Sequence, residues 1–176
     1  MRRVRYQVAM SLDGYIAGPN GEYDWITGGE DFDFNALYAQ FDTLLMGRAT
    51  FDIIRGGLHQ EYYAGKQLVV VSRTMRQEDH PGVTIVSGQI AEHVDELRAR
   101  DGKDIWLFGG GQLLRTMLEL QRVDTVELAI VPILLGGGIP MLAVPAPRTP
   151  LTLTGNHLYR GGMMLLEYRV ERAAAS

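Results

Sequence analysis

Short apolar runs alternate along this chain with stretches of helical spacing, which confines it to folds built on a mainly parallel sheet covered by helices. Val4 to Leu12 reads as a first strand, turned by Asp13-Gly14 and followed by a loop at Pro19-Asn20-Gly21. Phe34, Leu37, Tyr38 and Phe41 fall at i, i+3, i+4 and i+7, one face of a helix. Thr43 to Met46 is a short buried strand, and Gly47-Arg48-Ala49-Thr50 opens a helix. Gln67 to Val71, Val83 to Val86 and Asp104 to Phe108 read as further strands. Ile90, Val94 and Leu97 carry one helical stripe, and Leu113, Met117 and Leu120 carry another.

The last third changes character. Val126, Leu128 and Ile130 alternate with Glu127 and Ala129, as in a strand with one buried face. A Gly136-Gly137-Gly138 loop and a proline-rich stretch from Pro140 to Pro150 follow. Leu151 to Tyr159 and Met163 to Glu171 then form a hairpin around Arg160-Gly161-Gly162. The expected architecture is α/β: a mainly parallel central sheet flanked by helices and finished by a C-terminal antiparallel hairpin. No linker or repeat divides the chain, so residues 1–176 read as one domain, with Ala173 to Ser176 frayed.

Composition narrows the function. The net charge of -4 argues against a nucleic-acid surface, which needs clustered Lys and Arg. The chain has no cysteine, so thiolate catalysis and cysteine-based zinc sites are excluded. His59, His80, His93 and His157 are scattered without metal spacing, and no Gly-x-Ser-x-Gly elbow supports hydrolase chemistry. No apolar run approaches the roughly 18 residues of a membrane span. Strand-like alternation follows Met1-Arg2-Arg3 directly, so no signal peptide is read and a cytoplasmic location is expected.

Three strand ends carry groups suited to a nucleotide. Ligands of open α/β sheets bind beyond the carboxyl ends of the strands, where helix N-termini favour phosphate. Gly47, Arg48 and Thr50 offer close backbone approach, charge and a hydroxyl, or equally a plain threonine cap. Ser72, Arg73 and Thr74 make a compact anion site or an ordinary polar turn. Gly109, Gly110 and Gly111, followed by Gln112 and Leu113, join a buried strand to an apolar helix. Three glycines there are costly unless the backbone needs unusual angles or close ligand approach. Leu114 breaks the dinucleotide fingerprint, and no Lys-Ser or Lys-Thr makes a P-loop.

In that order, these segments resemble the cofactor segments of dihydrofolate reductases. The run Met10-Ser11-Leu12-Asp13-Gly14-Tyr15-Ile16-Ala17, then Trp25-Ile26-Thr27 and Val131-Pro132-Ile133-Leu134-Leu135-Gly136-Gly137-Gly138-Ile139-Pro140, resembles the reductase domain of the bifunctional riboflavin-biosynthesis deaminase-reductase. The resemblance covers roughly residues 4 to 170. It implies a dihydrofolate-reductase-like fold and an NADPH-dependent reductase of a small heterocycle. It also implies that Gly-Arg-x-Thr and the triple glycine hold pyrophosphate and nicotinamide, and that Ser-Arg-Thr meets the adenosine 2′-phosphate. Two features depart from that enzyme. The chain has no room or cysteine for a zinc deaminase domain. Tyr15 and the acidic Gly28-Gly29-Glu30-Asp31 stand where the riboflavin enzyme tends to carry basic residues for a ribose phosphate.

Hydride transfer needs a dry pocket and a proton source. Asp13, at the end of the first strand, and Asp31, near the helix bearing Phe34, are the candidate acids. A turn residue and a helix-terminal carboxylate are their bland readings. Asp24 and Asp33 read as solvated charges. Trp25 and Thr27 are candidates for the substrate pocket, and Trp25 is equally suited to the core. The alternatives are a true dihydrofolate reductase and a nucleotide-binding protein of the same fold without catalysis. Apolar residues on both alternations of the C-terminal hairpin suggest a homodimer, as does the resemblance.

Overall fold

A computed structural model of the chain describes residues 1–27, 29, 31–56 and 63–171. Its elements are β1 (Val4–Ser11), β2 (Tyr15–Ala17), α1 (Phe34–Tyr38), β3 (Phe41–Gly47), α2 (Arg48–Arg55), β4 (Gln67–Val71), β5 (Val83–Val86), α3 (Ile90–Ala99), β6 (Asp104–Gly109), α4 (Gly111–Glu119), β7 (Thr125–Val131), β8 (Ile139–Pro140), β9 (Leu151–Leu158) and β10 (Met164–Val170). The main sheet runs β5-β4-β3-β6-β1-β7-β10-β9. From β5 through β7 every neighbouring pair is parallel, and β10 and β9 complete the sheet antiparallel. A small pair, β2 with β8, ties the first turn to the segment after the 136–138 loop.

The strands alternate their side chains between two cores, as the pleat requires. Tyr6, Leu45, Val69 and Leu107 pack against Leu97 of α3 and Met117 of α4. On the opposite face Leu44, Met46, Val70 and Trp106 pack against Leu37 of α1 and Phe51 of α2. Helices therefore cover both faces, as expected for a sheet that is parallel at its centre. No helix among the described residues is long and apolar enough to cross a membrane.

The local pattern misleads in four places. Phe41 keeps helical spacing with Phe34 but begins β3, because α1 ends at Tyr38 and Phe41 pairs with Asp104 of β6. Its ring lies 4.7 Å from the Arg5 guanidinium carbon and 4.8 Å from the Trp106 ring, so tertiary packing outweighs the helical period. Strand β7 is buried on both faces rather than one, since Val126 and Leu128 enter one core while the buried Arg5 binds Glu127 on the other face. Gly47 rather than Thr50 stands at the N-cap position of α2, with no side-chain hydrogen bond, and Thr50 sits in the first turn. Asp33, read above as a solvated charge, is the N-cap of α1 and accepts the Ala36 N–H at 2.9 Å. The frayed end expected at Ala173 to Ser176, and Gly28, Glu30 and His59, lie outside the described residues.

Candidate active site

Because β1, β3, β4, β6 and β7 run parallel, their carboxyl ends reach one edge of the sheet. A cleft of about 710 Å³ opens there. Residues 47–50, 71–74 and 110–113 line it, with residues 139, 140, 143 and 144 as its far wall. The three glycine- and hydroxyl-bearing strand ends thus share one cavity, and Arg48 links two of them by donating to Thr74 Oγ1 at 3.0 Å.

Two helices begin in this cleft, α2 after Gly47 and α4 after Gly110, and neither N-cap supplies a side-chain hydrogen bond. The first N–H groups of a helix have no partner within it, so both termini present free donors and positive dipole ends to the cavity. The triple glycine divides its work. At Gly111 a Cβ would lie 2.6 Å from the Pro140 oxygen and 2.9 Å from the Met141 oxygen, so this glycine admits the 140–143 backbone. Gly109 has φ +149°, a region that L side chains rarely adopt. A Cβ at Gly110 would meet only Thr50 Oγ1, at 3.9 Å, so that face of the backbone is open to a ligand.

In the Ser-Arg-Thr turn the Ser72 hydroxyl accepts the N–H groups of Thr74 at 3.3 Å and Met75 at 3.2 Å, and its side chain is buried. Ser72 therefore shapes the turn. Arg73 is exposed and has no hydrogen-bond or ion-pair partner among the described residues. An unpaired guanidinium at the end of β4, in the same cleft as two helix starts without side-chain caps, suits a phosphate. This combination of free N–H donors, an open glycine face and a spare arginine fits a dinucleotide phosphate.

A second cavity, of about 280 Å³, lies on the α1 face of the sheet. It is walled by Trp106, Phe108, Tyr38, Phe32 and Met163, with Gln7 and Ala9 of β1 lining it from the sheet. Phe108 of the second cavity stands two residues before Gly110 of the first, so both cavities reach the end of β6. Tyr23 and Ile26 line this pocket, whereas Trp25 and Thr27 do not. Trp25 instead donates its indole N–H to the Glu22 oxygen at 3.1 Å. Sequence reasoning also missed Gln7. It is only 6% exposed, and its amide oxygen has no hydrogen-bond partner. A buried polar atom left unpaired costs roughly 1–3 kcal/mol.

The neighbouring charges do not satisfy it. Glu127, the strand partner of Gln7, is held by Arg5 through two bonds of 2.7 Å and by the Thr125 hydroxyl at 2.7 Å. Burial pulls the Arg5 guanidinium down, but its hydrogen bonds and attraction to Glu127 outweigh that and raise it overall.

Neither candidate acid lines either cavity. Asp13 accepts the Ser11 hydroxyl at 2.6 Å and the N–H groups of Leu135 at 3.1 Å and Gly136 at 2.7 Å. These bonds, that of Ser11 foremost, hold its carboxyl below the ordinary range. Asp31 accepts the Arg160 N–H at 3.0 Å and so ties the loop before α1 to the β9–β10 turn. Phe32 packs on Tyr159 at 5.2 Å across the same junction.

A central parallel sheet with an antiparallel finish and a glycine-rich cleft along its carboxyl edge defines an α/β protein of reductase-like fold. The chain belongs to the RibD C-terminal domain family, whose model matches residues 2–165. It is 32% identical over 178 residues to the uncharacterized protein YyaP of Bacillus subtilis, covering 95% of this chain and 94% of that one. It is 28% identical to the riboflavin biosynthesis protein RibD of Corynebacterium ammoniagenes, over 83% of this chain and 48% of that longer protein. Among solved structures, a putative riboflavin biosynthesis protein from Shewanella superposes with a TM-score of 0.83 at 27% identity, covering 97% and 99% of the two chains. The deaminase-reductase of Thermotoga maritima superposes with a TM-score of 0.71 over 96% of this chain and 56% of that one. At 17% identity that likeness is one of fold.

Proposed function

We propose that the protein is an NADPH-dependent reductase that delivers a hydride to a small heterocycle. The observation that carries this reading is the convergence of three strand ends and two uncapped helix N-termini on one cleft. NADPH, when bound, supplies the hydride. The N–H groups at the starts of α2 and α4 would hold its pyrophosphate beside Gly47, Arg48 and Thr50 on one side and Gly109, Gly110, Gly111, Gln112 and Leu113 on the other. Arg73, with Thr74 beside it and Ser72 shaping the turn, would meet the 2′-phosphate.

The apolar cavity beside Phe108 keeps water from the substrate, with Trp25 and Thr27 in the loop at its border. Asp13, held ionised, is a poor proton donor, so it serves best as a positioning group that fixes the 135–136 backbone. Asp31 steadies the β9–β10 turn, and the proton then comes from solvent at the pocket mouth. The same proposal carries one domain, a homodimer and a cytoplasmic location, where NADPH is held.

The test is binding followed by turnover. Titration with NADPH and NADH should show tighter binding of NADPH. NADPH oxidation should then be followed with reducible pyrimidines and pteridines, dihydrofolate included. Absence of NADPH binding would sink the reading.

A further inference from the structure

The polar groups on the α1 face of β1 are already matched, with one exception. Arg5 binds Glu127, Gln40 and Asp104, Glu127 also accepts from Thr125, the Gln7 backbone oxygen accepts the Trp106 indole N–H at 2.9 Å, and Ser11 is bound to Asp13 and Tyr15. The Gln7 side-chain amide is left over, its buried oxygen without a partner, and Gln7 lines the aromatic cavity. Among the described residues that line the cavity there is no Lys or Arg. A phosphate placed there would find no charge partner, whereas a flat ring would stack against Trp106 and Phe108.

We propose that this cavity takes the unphosphorylated planar ring of the substrate, and that the Gln7 amide oxygen reads a ring N–H. The inference rests on the reductase reading, since it names the substrate class of the same site. Gln7 is then a specificity residue. A buried amide is retained where Leu or Met would pack without an orphaned atom, because the ring N–H completes it on binding. The cavity volume of about 280 Å³ suits one or two fused rings rather than a ring carrying a long polar tail.

The experiment is equilibrium binding of lumazine to the full chain, with and without NADPH, compared with 1,3-dimethyllumazine, whose ring nitrogens carry no proton. Lumazine should bind, and the dimethyl compound should bind about tenfold more weakly, the size of one hydrogen bond. Gln7→Met should bring lumazine to the level of the dimethyl compound. It should leave NADPH affinity unchanged and should not lower the melting midpoint of the ligand-free protein. A merely structural glutamine would lower that midpoint. Phosphorylating a 6-hydroxymethyl group on the same ring should bring no gain, and a gain of about tenfold or more would overturn the unphosphorylated part. Equal lumazine affinity in the parent and Gln7→Met, or no lumazine binding while NADPH binds, would overturn the assignment. Lumazine binding without NADPH binding would instead sink the reductase reading, and with it the assignment of the ring as substrate, while Gln7 would remain a ring-binding residue.

Discussion

The carboxylate of Asp13 accepts the Gly136 N–H at 2.7 Å, joining the end of the first strand to a loop 123 residues further along the chain. With the bonds from Ser11 and Leu135, it makes Asp13 the clasp between β1 and the glycine loop before β8. The β2–β8 pair continues this junction, and Ile139 and Pro140 of β8 wall the cleft.

Asp13→Asn should therefore act through position rather than proton supply. One amide oxygen cannot accept all three donors. Turnover should fall, with a raised KM for the ring substrate and little change in NADPH affinity. The rate of the parent protein should show no titration of Asp13 through neutral pH. Because the folded value is lowered, the contribution of Asp13 to stability is present above its unfolded value and is lost as pH falls through the folded one. A kcat that declines as a single group ionises near neutrality, and that loses this dependence in Asp13→Asn, would restore the acid role. Asp31→Asn is the companion variant for the other candidate.

Arg73→Ala should weaken NADPH by roughly ten- to a hundredfold, from the loss of one or two charge-assisted bonds of roughly 1.5 kcal/mol each, and leave NADH nearly unchanged. Calorimetric titration of both cofactors checks this. Equal losses would assign Arg73 to the turn alone.

Gly110 and Gly111 should separate cleanly. Gly111→Ala forces a methyl into the backbone of Pro140 and Met141 and should lower the melting midpoint. Gly110→Ala places its methyl toward Thr50 with room to spare, so the protein should fold and lose cofactor binding. Normal NADPH affinity in folded Gly110→Ala would show that the ligand does not approach that backbone.

Removing Arg5 leaves the buried Glu127 without a charge partner, whereas Arg5 without Glu127 keeps Asp104 at 3.4 Å. Arg5→Met should cost about 3–5 kcal/mol in denaturant unfolding, and adding Glu127→Leu should recover most of it. Failure of the double variant to recover would mean that the pair specifies the packing around Phe41.

Strand β9 forms one edge of the main sheet, and Leu151, Leu153 and Leu158 are exposed along it. A second copy covering these leucines should give a dimer mass by light scattering, and Leu153→Lys should shift it toward the monomer. A monomer mass for the parent protein at micromolar concentration would refute the dimer.

Much of the fold is legible locally. The strand and helix periods locate every main-sheet strand and the helices α3 and α4, because side-chain spacing is a property of a few consecutive residues. The glycine- and hydroxyl-bearing strand ends are legible for the same reason. A parallel sheet then brings them to one edge without further instruction. What lies beyond reach is whatever depends on neighbours distant in the chain. Phe41 leaves its helical register because Arg5 and Trp106 close around it. Glu127 looks like a solvent-facing residue until β10 covers it and Arg5 binds it. Gln7 reads as an ordinary polar position in an alternating strand. Only the arrival of β6 and β7 on either side of β1 buries it beside aromatic rings with its amide oxygen unpaired. Periodicity is short-range and survives in the sequence, whereas burial and hydrogen-bond satisfaction are set by contacts that exist only once the sheet has assembled.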